Sequence, residues 1–148
     1  MFLLLLAVAL LAQMAAAKRL AGGGNHFLVL QKNGQVYGVG RNDYGQLGLG
    51  TTTPYSNFPQ VMASMSTAVD ITTGGDHSCV LDQGGFVRCT GRNNNYQLGD
   101  GTSVDKNAIV TATGLVAGIL EVYAGFAGSC TREPSGGLRC WGNFANAV

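Results

Sequence analysis

Residues 23–48 read GGNHFLVLQKNGQVYGVGRNDYGQLG, and residues 74–99 read GGDHSCVLDQGGFVRCTGRNNNYQLG. The two strings align without a gap at an offset of 51 residues (74 − 23). Gly23-Gly24-Asn25-His26 falls on Gly74-Gly75-Asp76-His77, and Gln46-Leu47-Gly48 falls on Gln97-Leu98-Gly99. A second step of the same length carries Cys79 onto Cys130, Cys89 onto Cys140 and Gly91 onto Gly142. Self-similarity at a fixed period of roughly 20–50 residues marks a repeat array, in which each unit buries its core against the next. The units run from about 20–70, 71–121 and 122–148. The third is degraded, with Gly128 in place of His77 and Phe126 in place of Gly75. The chain reaches Val148 where Gln-Leu-Gly should recur, which points to a truncated piece of a longer array.

Within each unit the apolar runs are short and bounded by turn residues. Val69-Asp70-Ile71, Ser78 to Leu81 and Phe86 to Cys89 read as strands, with Asp82 to Gly85 turning the last two into a hairpin. The first unit repeats the plan with Phe27 to Leu30, a turn at Lys32-Asn33-Gly34, and Val36 to Val39. The third repeats it with Ser129 to Arg132 and Leu138 to Trp141. Glycine, at 23 residues, interrupts nearly every window, and each interior glycine costs a helix about 1 kcal/mol relative to alanine. The stretch from Thr113 to Tyr123 is ambiguous by itself, and its place in the period makes it a loop followed by a strand.

The strings just quoted closely resemble the regulator-of-chromosome-condensation repeat, and the second unit, from His77-Ser78-Cys79 to Thr102, looks like its cysteine-bearing version seen in exported members. The resemblance implies an all-β fold of four-stranded β-propeller blades. Its full ring has seven blades, so this chain supplies a partial propeller of about two and a half to three. If the chain were complete, homo-oligomerisation would be needed to close a ring.

Two features bear on where the protein works. Phe2 to Ala12 is a continuous apolar run, followed by Ala15-Ala16-Ala17 and Lys18. That pattern reads as a leader helix over residues 1–17, either a signal peptide cleaved after Ala17 or an apolar leader that is retained. It is shorter than the ~20 apolar residues of a membrane span, so no membrane association is expected beyond it. The remaining four cysteines suit an exported, disulfide-bonded chain. Cys79 and Cys89 flank the Gln83-Gly84-Gly85 turn symmetrically, so folding the hairpin sets them face to face, with Val80 opposite Arg88 and Leu81 opposite Val87. Cys130 and Cys140 repeat this about Ser135. Directly opposed residues of antiparallel strands lie within disulfide reach. Cys79–Cys89 and Cys130–Cys140 are therefore expected, each worth ~2–3 kcal/mol on the chain-entropy model. Zinc would call for cysteines two to four apart within each pair. Secretion, a periplasm or a cell surface is the expected location.

The remaining constellations argue against catalysis and against cofactors. His26 and His77 hold one repeat position, and a residue that recurs so is expected to close a turn by hydrogen bonding. No glycine cluster carries the Lys-Ser/Thr of a phosphate loop or a third dinucleotide-type glycine. A net charge of +1 with 11% charged residues provides no basic footprint for nucleic acid. What is left is the loop after each hairpin. Arg41, Asp43 and Tyr44 in the first unit, and Arg92, Asn95 and Tyr96 in the second, are the candidate partner-binding residues. The expected function is a secreted module that binds a protein partner through this loop face. A self-assembling surface protein, an inhibitor of a secreted enzyme and, last, a guanine-nucleotide exchange factor are the alternatives.

Overall fold

The computed structural model describes residues 17–144. The expected leader, apart from Ala17, and the last four residues lie outside them. Among the described residues, eleven strands form three antiparallel sheets. The first sheet is β1 (Ala17–Gly22), β2 (His26–Gln31), β3 (Val36–Arg41) and β4 (Tyr55–Val61), in that spatial order. The second is β5 (Ala68–Thr73), β6 (His77–Asp82), β7 (Val87–Gly91) and β8 (Lys106–Thr111). The third contains β9 (Glu121–Ala124), β10 (Ala127–Arg132) and β11 (Leu138–Asn143). Ala17, the last residue of the expected leader, opens β1. Residues 112–120 form a loop that leads into β9, as the repeat period requires.

The sheets stack like blades, with β5 against β1 and β2, and β9 against β5 and β6. Two apolar layers result. Leu28, Leu30, Val36, Met62, Ile71 and Val80 fill the space between the first and second sheets. Leu81, Val87, Leu98, Ile119 and Val122 fill the next, together with Cys79 and Cys89. The middle strand β6 feeds both layers, and all six of its residues are buried. Irregularities in register recur at matching places, between Gly38 and Gly40 in the first sheet and between Cys89 and Gly91 in the second. The two sheets therefore bend alike. The hairpin registers are Leu28 opposite Gly38, Cys79 opposite Cys89, and Cys130 opposite Cys140.

The histidines act between sheets rather than within a turn. His26 Nε2 lies 2.8 Å from Ser78 Oγ in the second sheet, and His77 Nε2 lies 2.9 Å from Ser129 Oγ in the third. Ser78 Oγ donates back to the Gln46 carbonyl at 2.7 Å, and Ser129 Oγ to the Gln97 carbonyl at 2.8 Å. A serine hydroxyl carries one proton, and a carbonyl only accepts. Each serine proton therefore goes to the carbonyl, and each imidazole must donate from Nε2. All four side chains are fully buried. The pairs resemble a nucleophile and its base, yet the serines are sealed between sheets with their protons committed elsewhere.

The double glycine before each histidine makes this approach close enough. A Cβ on Gly74 would strike the His77 ring and stand 2.5 Å from the Gly125 carbonyl of the next sheet. One on Gly23 would strike the Gly74 carbonyl in the same way. Backbone bonds tie each seam in turn, from the Gly24 N–H to the Gly75 carbonyl at 3.2 Å and from the Gly75 N–H to the Phe126 carbonyl at 3.0 Å. In the third unit the ring of Phe144 covers Gly128, within 2.5 Å of where a Cβ would stand, in the place where the other units carry histidine.

Gly74→Ala should lower stability by ~1–3 kcal/mol through overpacking at the second seam, measured as a shift in the urea midpoint at unchanged slope. Burial pushes both imidazoles down to about 4, against which Asp76 and the His77 backbone raise His26 only in part. The unfolded chain takes up these protons near pH 6.5, before the folded chain does. The stability they contribute is therefore complete above pH 6.5 and is lost as pH falls toward about 4. Thermal melts across that window should show the fall, and His26→Gln should leave only the His77 share of it.

Candidate functional site

The loops after β3 and β7 are held from within by asparagine. Asn42 Oδ1 accepts from the Leu47 N–H at 3.0 Å, and its Nδ2 donates to the Thr51 carbonyl at 2.9 Å. Asn93 repeats this with Leu98 and Thr102 at 3.0 and 2.8 Å. Both side chains are fully buried. The Gln46 side chain accepts from the Tyr44 N–H at 3.0 Å, and Gln97 from the Asn95 N–H at 2.8 Å. The two loops thus share one backbone. Even the left-handed position is shared, held by Gly45 at φ +82° and by Tyr96 at φ +61°.

On this common frame the structure brings four of the six candidate residues into one cluster. The Tyr44 ring lies 5.6 Å from Arg41 Cζ and 5.0 Å from Arg92 Cζ, so guanidinium groups from two sheets share one aromatic ring. Arg41 bonds Asp43 at 2.6 Å and reaches Asp76 at 3.5 Å, while Arg92 reaches Asp76 at 3.4 Å. The Asp43 hydrogen bond holds Arg41 above its ordinary pKa. Two cations and two anions balance, so the cluster is not an anion site. Its planar groups and partly exposed charges instead suit contact with a protein surface.

Asn95 and Tyr96 stand apart, at the seam of the second and third sheets. Tyr96 is 57% exposed. Beside it opens a recess of about 160 Å³, lined by Asp76, Arg92, Asn94, Asn95, Phe126 and Asn143 among others. Asp76 was missed by sequence reasoning, although it joins the two arginines. Its only signal was its repeat position beside His77, which had been assigned to the turn.

The four cysteines form two hairpin bridges, Cys79–Cys89 and Cys130–Cys140, with Cα separations of 4.1 and 4.0 Å. Their surroundings differ. Cys79 and Cys89 are fully buried in the second apolar layer. Cys140 is exposed on the open face of the third sheet, next to Leu138, which is 70% exposed.

Two models described as the Regulator of chromosome condensation (RCC1) repeat match, one at residues 33–81 and the other at 17–46 and 68–97. Together they cover more than half of the chain. The chain belongs to the RCC1 repeat family. It is 30% identical over 94 residues to the mouse Regulator of chromosome condensation, which accounts for 64% of this chain and 22% of that one. It is 32% identical over 127 residues to the human X-linked retinitis pigmentosa GTPase regulator, or 84% of this chain and 12% of the relative. The solved structure of human WBSCR16 superposes with a TM-score of 0.76 at 27% identity, covering 86% of this chain and 34% of the other. The architecture is therefore that of RCC1-type β-propeller blades, and the chain spans only about a quarter or less of the length of the curated relatives it matches.

On titration of the native protein with a mild phosphine, Cys130 and Cys140 should alkylate first. Cys79 and Cys89 should stay protected until urea opens the sheets. Mass mapping of the digest reads both.

Proposed function

We propose that this RCC1-type chain is an exported, disulfide-bonded module that binds a protein partner through its loop face, with Tyr44 at the centre. One observation carries the reading. The Arg41–Tyr44–Arg92 stack is assembled from two sheets, lies at the surface, and centres on Tyr44, which the second loop replaces with Asn95. What recurs here, namely Asn42 and Asn93, Gln46 and Gln97, and His26 and His77, maintains the architecture. What differs is free to choose a ligand. Aromatic and arginine side chains on a rigid frame carry much of the energy of protein contacts. Export is supported by the apolar leader over residues 1–17 and by two hairpin disulfides, which persist in oxidising compartments.

A second reading is favoured by one relative, the X-linked retinitis pigmentosa GTPase regulator. Here too the partner would be a protein and the contacts would come from loops. A nucleotide-exchange assay separates the two, because a binding module leaves the release rate unchanged.

The loop-face reading is tested with the full chain as bait in extracellular fluid from its source. Captured proteins are quantified against Arg41→Ala and Tyr44→Ala baits whose melting curves match the unaltered protein. Specific partners should fall by about tenfold or more on either variant, the scale of a hot-spot loss. Identical captures on all three baits would show that the interface lies elsewhere.

A further inference from the structure

The two seams between sheets are built on one plan and filled differently. At the first, the ring of Tyr44 occupies the outer groove, with Arg41 on it from its own sheet and Arg92 from the next. One period on, Asn95 replaces Tyr44, Asn94 replaces Asp43, Asn143 replaces Arg92 and Ala127 replaces Asp76. Only the cation of the loop's own sheet is kept, since Arg92 stands to the second seam as Arg41 stands to the first. The backbone under both positions is alike, because Tyr44 and Asn95 each donate their N–H to the glutamine two residues on. The exchange removes a phenol ring from a groove whose loop backbone is preserved, and the recess of about 160 Å³ lies there.

We propose that this recess takes an aromatic side chain, tyrosine foremost, from a partner protein. The proposal rests on the loop-face reading and names a chemistry for it. The incoming ring lies on the guanidinium of Arg92 as Tyr44 lies on that of Arg41. A guanidinium is planar and has two faces, so Arg92 can hold Tyr44 on one and a guest on the other. Phe126, 73% exposed at the rim, offers the guest an apolar flank. The carboxamides of Asn94 and Asn95 meet each other at 3.1 Å, and one such bond uses only part of their capacity, so they can also bond a phenol hydroxyl. An aliphatic guest would cover the arginine plane without the quadrupole attraction. A sugar would find amides but only a rim aromatic to stack on, and it serves as the contrasting outcome of the test.

The experiment uses the isotope-labelled full chain and three small probes: N-acetyl-tyrosinamide, N-acetyl-alaninamide and methyl glucoside. The tyrosine probe should give saturable shifts at the side-chain amides of Asn94 and Asn95 and at Arg92 Nε, with half-saturation in the millimolar range. The alanine probe should bind at least about tenfold more weakly, a difference of roughly 1.4 kcal/mol. Asn95→Tyr places the chain's own ring in the groove, so it should abolish the response at an unchanged or raised melting temperature. Arg92→Lys keeps the charge without the plane and should weaken it. Equal response to the alanine probe, response to the glucoside alone, or full binding by Asn95→Tyr would each overturn the proposal. Because the capture variants at Arg41 and Tyr44 lie outside the recess, such a failure leaves the loop-face reading standing.

Discussion

Everything in this chain depends on how one sheet is fastened to the next. A single sheet of three or four strands buries too little to stand alone, and the apolar layers exist only between neighbours. The fastening is a buried polar relay, imidazole to serine hydroxyl to backbone carbonyl, crossing the seam and returning. Such a relay suits this place because its groups are matched in direction. The neutral imidazole donates, the hydroxyl accepts and then donates, and the carbonyl accepts. A buried polar group without a partner would destabilise the seam, so the relay also fixes the register of one sheet on another. The same burial that makes it specific holds the imidazoles neutral.

Within the described residues the relay runs for two steps. Its serine position in the first sheet is Phe27, 56% exposed, and its histidine position in the third is Gly128, covered by Phe144. Other fastenings adapt to the local sequence. Thr90 Oγ1 lies 2.8 Å from the Gly45 carbonyl across the first seam, and Trp141 Nε1 donates to the Gln97 carbonyl at 2.9 Å across the second. The outward cation pairs adapt too, with Arg19 of the first sheet bonded to Asp70 of the second. A conserved backbone plan with variable surface groups places the two seams in the same geometry with different chemistry. That difference is what gives the outer grooves distinct roles.

Much of this was legible in the sequence. The hairpins follow from alternating apolar runs around turn residues, and the cysteine pairing follows from symmetry about the turn. The outer strands were not legible one by one. Tyr55–Val61 carries Pro59 and is mostly exposed, so it shows none of the apolar signal of a strand, although proline is tolerated on an edge. Lys106–Thr111 is likewise polar and exposed at its start. The histidines were readable as architectural because they recur, but their partner was not. Ser78 directly follows His77 in the string, yet it bonds to His26, 52 positions away.

By itself the sequence determined what is periodic: the unit length, the hairpins, the bridges, the family and the division between residues that repeat and residues that do not. Periodicity is a property of order along the chain, and the spacing of residues carries it completely. Only the tertiary structure decided which residues meet across a seam. Arg41 and Arg92 come to share the ring of Tyr44, Asp76 joins both, and Asn95 leaves a groove where Tyr44 fills one. Those contacts depend on how sheets stack in space, at separations where neither apolar pattern nor turn chemistry provides a signal.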